Sequence, residues 1–408
     1  MKRIKLEKLD LLLFSASLGL VILGLLFLFH VQSLDQTGPP EIFWRQLVYA
    51  VIGMSLMIGA AVLSPRVHFA LAYVIYAGSA VVLLGILLWG SVAKGAVRWV
   101  DLGLFTFQPS EPAKIGLILA LARLVTDKKF DLRRPGHLLQ AAAITSFPLM
   151  LVMAQPDLGT SIVFGAIFLS MMIVAGAPLS YLLILFSPVL AAITSFHAIA
   201  FLLFMALLLF MTWRMKLPLT ITILLVMGNL LLSAATPLAW NQLKPYQQKR
   251  LITFINPEAD PKGAGYQVIQ SKVAVGSGGL LGKGLGQGSQ TQLKFLPEQH
   301  TDFIFSVVGE ETGLLGGTVV LILYAILISR CFAIAALCSG KYARLVCVGL
   351  SSLLATHIFI NIGMAIGLLP VTGLPLPFLS YGGSFLWTCM VSGGIILGIQ
   401  FRKGDYTP

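Results

Sequence analysis

Charge is scarce in this sequence. Of 408 residues, 28 are Lys or Arg and 16 are Asp or Glu, 11% together, where ordinary soluble domains carry about 25%. A soluble chain of this length would need far more polar surface, so a set of soluble domains is excluded. Cysteine is also scarce. Cys331, Cys338, Cys347 and Cys389 fall in or beside apolar runs without ligand spacing, and read as small core residues rather than zinc ligands or a disulfide framework. His30, His68, His137, His197 and His357 are equally scattered, so no metal site is expected from spacing.

What the chain has instead is hydrophobic residue, 57% of the total. Apolar runs of about 20 residues, the length of a membrane-crossing helix, recur along nearly the whole sequence. We place spans near 10–30, 44–63, 69–89, 110–126, 139–156, 159–176, 179–196, 197–213, 217–238, 304–329, 345–368 and 382–401. The expected fold is therefore all-α, a polytopic transmembrane protein of about 12 spans forming one membrane domain over 1–408. The basic start MKRIKLEKLD and the run after it are too long for a signal peptide and lack a small-x-small cleavage site, so they read as a first span.

A net charge of +12 suggests nucleic acid until its placement is considered. Lys2, Arg3, Lys5, Lys8, Arg66, Arg123, Lys128, Lys129, Arg133, Arg134, Arg214, Lys216, Arg330, Lys341, Arg344, Arg402 and Lys403 all fall in connections on one side. The opposite short connections hold only Arg45, Lys94, Arg98 and Lys114. That is the positive-inside pattern, and it predicts both termini in the cytoplasm and no nucleic-acid partner. Residues 239–303 form the one long hydrophilic connection, expected outside the membrane. Its seven basic residues, Lys244, Lys249, Arg250, Lys262, Lys272, Lys283 and Lys294, point to anionic partners such as a lipid phosphate or pyrophosphate. So long a loop without regular structure is uncommon unless it has a task.

Several residues in and around that loop have chemical potential. The glycine-rich run Gly276 to Gly288 contains Lys283; it reads either as a tight or flexible turn or as a backbone that approaches phosphate. A nucleotide P-loop is excluded, because Ser277 stands where its first glycine belongs and Gly284 follows the lysine. Asp302 closes LPEQHTDFIF at the outer edge of a span. There it, or Thr301, either caps the following helix or serves as a partly desolvated general base. Glu111 and Lys114 share a helical face, where an intramembrane ion pair is the expected role. Arg98 has the chemistry to meet phosphate, and Trp99 to stack on a sugar or anchor at the interface. Asp157 in QPDLGT reads first as a helix cap. Glu310 and Glu311 lie early in the tenth span. The segment 370–383, PVTGLPLPFLSYGG, is too rich in Pro and Gly for a regular span, and such backbone at membrane depth lines a cavity.

On these stretches the sequence resembles the SEDS family (shape, elongation, division and sporulation), its elongation branch more than its division branch. They are KGAVRWVDLGLFTFQPSEPAK (94–114), QPDLGTS (155–161), GAGYQVIQSKVAVGSGGLLGKG (263–284), LPEQHTDFIF (296–305) and PVTGLPLPFLSYGGS (370–384). The resemblance implies a peptidoglycan glycosyltransferase in the bacterial cytoplasmic membrane that polymerises lipid II, a disaccharide-pentapeptide on undecaprenyl pyrophosphate, during elongation and shape maintenance. It implies Asp302 as the essential aspartate, Trp99 as a sensitive position and Glu111–Lys114 as paired charges. Arg98, Trp99, Lys114, Lys244, Arg250, Lys283, His300 and Ser380 are the substrate-binding candidates. A class B penicillin-binding protein as cross-linking partner and a divalent cation (Mg or Mn), with no dedicated site visible, are implied as well. The family usually has ten spans, so 177–238 is expected to hold two additional ones. The rival expectation from a different class is a lipid II flippase. Against it, the candidate residues gather on one side, whereas a transport path needs both.

Overall fold

The computed structural model describes residues 10–33, 41–89, 98–101, 103, 105–242, 248, 264–293 and 295–402. Each of the twelve expected spans is met by a helix: α1 (Leu11–Ser33), α2 (Glu41–Val62), α3 (Pro65–Trp89), α4 (Ser110–Thr126), α5 (Pro135–Ala154), α6 (Leu158–Val174), α7 (Leu179–Thr194), α8 (Ala198–Arg214), α9 (Leu219–Gln242), α12 (Ile304–Leu337), α13 (Lys341–Ala365) and α14 (Gly383–Phe401). Eight of them, α1, α2, α3, α5, α9, α12, α13 and α14, are long and apolar enough to cross a membrane; α6, α7 and α8 are apolar but shorter. The protein is a helical, multi-pass membrane protein. Beyond this, a two-residue antiparallel ribbon pairs Val100–Asp101 (β1) with Thr106–Phe107 (β2).

The long hydrophilic connection departs from expectation. It is not structureless: Ala264–Ser277 forms a helix, α10, and Ser289–Gln292 a single turn, α11. Its polar sequence lacks a span's hydropathy, but Ser271 ties α10 down. The Ser271 hydroxyl lies 2.6 Å from both Ser306 Oγ and the Ala365 carbonyl. The tenth span runs on to Leu337, past the expected 329, and it carries a kink at Gly313 (φ 64°) near its start. A positive φ costs glycine little.

The helices are not equally interior. In α13 and α14, 78% of the membrane-spanning window is buried inside the protein, against 6% in α9, so α13 and α14 form the centre and α9 the rim. Small residues allow this. Gly394 and Gly398 of α14, one turn apart, face Met57 and Ala61 of α2, where an added Cβ would meet backbone carbonyls. Without a hydrophobic drive between helices in lipid, such close backbone contact supplies the association energy. In the same way Gly349 of α13 faces Ile118 of α4 and Met171 of α6.

Charge separates the two ends of the array. At one end Asp10 pairs with Arg330 at 2.6 Å, and Arg402 donates to the carbonyls of Ala61, Val62 and Leu63. Burial works against the Asp10 carboxylate, but hydrogen bonds from Arg330 and the Leu13 amide outweigh it and hold its pKa below the ordinary value. At the same end Arg123 reaches the start of α3, bonding the Phe69 and Ala70 carbonyls. The chemistry-bearing motifs gather at the other end.

Candidate active site

The site is built on the segment between α13 and α14. Residues 370–382 stay non-helical, as their Pro and Gly content requires, and yet Leu374, Leu376, Phe378 and Leu379 are buried. Backbone buried without helix must find partners elsewhere. It finds them in the 296–303 segment. Tyr381 donates its amide to the His300 carbonyl at 2.9 Å. The Ser380 hydroxyl donates to the Thr301 carbonyl at 2.6 Å and accepts from the Leu376 amide at 2.8 Å. Asn361 of α13 sends its amide group to both the Asp302 and Leu374 carbonyls, at 2.8 and 2.7 Å. Gln46 of α2 closes the frame by bonding the Ser380 carbonyl and the Gly382 amide.

Within this frame Asp302 is half-buried. The N-cap of α12 is Phe303, so neither Thr301 nor Asp302 occupies the capping position. The Asp302 carboxylate faces Gly373, whose φ is 73°; an added Cβ there would sit 3.5 Å from Oδ2. His300 is also half-buried, its ring edge-on to Tyr381 at 5.8 Å. Burial, and then the neighbouring Tyr49, push the Tyr381 phenol up. Ser380 is 2% exposed with its hydroxyl engaged by backbone, an arrangement that fixes the loop and leaves little to offer a substrate.

The first turn of α6 adjoins this segment: Gly159 lies against the Thr372 carbonyl and Leu374. Asp157 caps that helix, accepting from the Thr160 amide at 3.1 Å and its hydroxyl at 3.0 Å. Arg98 donates to the Gln155 and Pro156 carbonyls and lies 4.0 Å from Asp157. It thereby ties the connection after α3 to the α6 turn. Trp99 beside it is 38% exposed. Gln108 reaches Asp157 at 3.4 Å with its side chain and Ser384 Oγ at 3.2 Å with its amide.

Below these loops lies the charged pair. Glu111 and Lys114 are fully buried, 2.8 Å apart. Lys114 also reaches Nε2 of His357 at 3.0 Å. Scattered spacing hid His357 and Asn361 from the sequence reading. The available signal was that two polar residues four apart share one face of an apolar span.

The glycine-rich run is placed differently from a phosphate cradle. It docks into the α12 kink: the amides of Lys283 and Gly284 donate to the Glu310 and Glu311 carbonyls, and those of Leu314 and Leu315 return to the Gly279 and Leu280 carbonyls. Cβ atoms at Gly278, Gly282 and Gly313 would overlap that backbone. The glycines are there to let two backbone segments touch. Lys283 is held by Glu310 at 2.9 Å and Ser289 at 2.7 Å, so its ammonium is committed within the loop. Lys244 and Arg250 lie outside the described residues. Among the described residues, no three His, Cys, Asp or Glu groups converge.

An open apolar cavity of about 490 Å³ borders the same segment, lined among others by Ile162, Phe359, Ile360, Leu369, Pro370 and Thr372. Four of the five sequence motifs thus meet at one end of the helix array, and the fifth packs on α12, the helix that follows Asp302.

Comparison with known proteins places the chain in a family. The family model FTSW_RODA_SPOVE, described as a cell cycle protein, matches residues 10–205 and 197–404. The peptidoglycan glycosyltransferase MrdB of Escherichia coli K12 is 37% identical over 362 residues, 88% of this chain and 85% of that one. The peptidoglycan glycosyltransferase RodA of Treponema pallidum is 34% identical over 427 residues, 97% and 98%. Among solved structures, one reported as a peptidoglycan synthase complex coordinating polymerization and crosslinking superposes with a TM-score of 0.73 at 29% identity, covering 98% of this chain and 99% of that one. The rod shape determining protein RodA of Thermus thermophilus gives 0.64 at 27% identity, covering 97% and 98%. Matched by the family model along nearly its whole length and by relatives of 34–37% identity, the chain belongs to the FtsW/RodA/SpoVE family, the SEDS proteins.

Proposed function

We propose that this protein is a peptidoglycan glycosyltransferase that polymerises lipid II at the outer face of the bacterial cytoplasmic membrane, in cell elongation and shape maintenance. The observation that carries this reading is the Asp302 carboxylate. The residue is half-buried, its own carbonyl is held by Asn361 and that of Thr301 by Ser380, and the 370–372 segment next to Gly373 borders an apolar cavity suited to a polyprenyl chain. Asp302 takes the proton from the sugar 4-hydroxyl of the acceptor. That oxygen bonds to the anomeric carbon of the donor chain, and the carbon–oxygen bond to undecaprenyl pyrophosphate breaks, its electron pair leaving with the phosphate. Configuration at the carbon inverts. A positioned base contributes about 10²–10⁴-fold.

Gathering of Arg330, Arg402 and Arg123 at the end opposite Asp302 supports a cytoplasmic placement of both termini by the positive-inside rule. It also supports the enzyme over a flippase, since the candidate groups occupy one end only. The partner is a class B penicillin-binding protein, in line with a structural relative reported as coordinating polymerization and crosslinking. Helices α7, α8 and α9 are read as including the two spans added to the usual ten. Any Mg or Mn ion enters with the pyrophosphate.

The test is glycan polymerisation by purified protein from labelled lipid II, with and without the cross-linking partner, wild type beside Asp302→Ala. Polymer from wild type and none from the variant, at equal expression and lipid binding, is the expected result. Lipid movement across vesicles without polymer in any condition would overturn it in favour of transport.

A further inference from the structure

The buried pair is part of a longer chain of contacts. Lysine has donors and no acceptor, so the 3.0 Å approach of Lys114 Nζ to His357 Nε2 makes that nitrogen the acceptor and the ring neutral. The proton then sits on Nδ1, which faces the Pro375 carbonyl at 3.3 Å. Phe385 holds the ring in place, 4.6 Å from its centroid, and lies under the Lys114 ammonium at 5.6 Å. His357 is 0% exposed.

Pro375 is two residues from Gly373, the residue that walls the Asp302 carboxylate. One helical turn from His357, Asn361 binds the Leu374 and Asp302 carbonyls. Two rungs on one face of α13 therefore grip consecutive carbonyls, Leu374 and Pro375, of the segment against which Asp302 is set. The lower rung is charged through Lys114 and Glu111; the upper one touches Asp302 itself.

We infer that His357 is a positioning residue for the transfer reaction: it couples the Glu111–Lys114 pair to the 373–375 segment and so fixes where the Asp302 carboxylate meets the acceptor hydroxyl. This rests on the reading of Asp302 as the base. The coupling acts on the reacting geometry and not on lipid capture, because His357 lies beneath the segment. Its loss must therefore appear in kcat and leave KM for the lipid substrate in place. A displacement of about 1 Å at a reacting group is enough to cost about 100-fold.

The experiment compares His357→Gln, His357→Asn and His357→Leu with wild type and Asp302→Ala, measuring kcat and KM for lipid II polymerisation and the unfolding temperature of each in the same detergent. A glutamine has an acceptor that reaches Lys114 and a donor for Pro375, an asparagine reaches Pro375 alone, and a leucine makes neither bond. The expected order is Gln within about threefold of wild type, Asn lower, and Leu lower in kcat by about 30- to 100-fold, with KM steady and kcat not following unfolding temperature. Leu or Asn turning over at the wild-type rate would overturn the inference, as would Gln losing as much as Leu, or kcat losses that track unfolding temperature or are matched by KM. Polymerisation by Asp302→Ala at the wild-type rate is a separate result: it removes the base, and with it the reaction His357 is said to position.

Discussion

The ammonium of Lys283 lies 2.9 Å from Oε1 of Glu310, and the rest of that carboxylate is filled by the Gln290 and Thr291 amides and the Thr291 hydroxyl. A lysine that looked available for pyrophosphate is instead the lid on a buried carboxylate. Glu310→Ala removes every one of these bonds and leaves Lys283 and two amides without their acceptor. Breaking a buried charged network from one side costs about 3–5 kcal/mol, and the unfolding temperature should fall accordingly. Lys283→Met costs less, about 1–2 kcal/mol, because water reaches the partly exposed lysine end of the pair. Lipid II binding by Lys283→Met is expected at the wild-type affinity; a tenfold weakening without a stability change would show that the lysine contacts substrate.

Two glycines in the same loop separate conformation from contact. Gly282 (φ 81°) has the Glu311 carbonyl where a Cβ would go, whereas Gly279 (φ 58°) faces open space. Gly279→Ala pays only for a left-handed backbone, about 1–2 kcal/mol. Gly282→Ala must also push the loop off the α12 kink, and at least about 3 kcal/mol is expected. Yield of folded protein and unfolding temperature in detergent distinguish the two. Equal losses would mean that the loop is not docked on α12.

The Glu111–Lys114 pair yields a third prediction. Lys114→Met leaves the Glu111 carboxylate buried without its cation, at a cost of about 3–5 kcal/mol. The double variant Glu111→Gln, Lys114→Met replaces the pair by neutral groups of similar volume and should recover most of that stability. Polymerisation should stay low in both, since neither retains the lysine donor to His357. Activity returning with stability in the double variant would reduce the pair to a structural filler.

Much of this protein is legible in its sequence. Apolar runs at span length are read directly, because a bilayer sets one length scale for every crossing helix. That is why the expected spans at 110–126 and 304–329 begin where α4 and α12 do. The Pro- and Gly-rich 370–383 was also legible, since three prolines and three glycines within fourteen residues leave no stretch able to hold a regular helix. The division of 177–238 into three helices followed from hydropathy alone. Less legible was the kink in α12, because a break at one glycine leaves the hydropathy pattern unbroken.

The sequence by itself determined the membrane class, the helices, the motifs and the family, since each depends on local composition or on a contiguous string of residues. Only the tertiary structure decided what the polar residues do. Lys283 turned inward to Glu310, Ser380 became a bracket for Thr301, and His357 joined Lys114 across 243 positions. A buried polar group must find a partner, and the partner is chosen by which helix faces which. Sequence spacing carries no record of that choice once the partners lie on different helices.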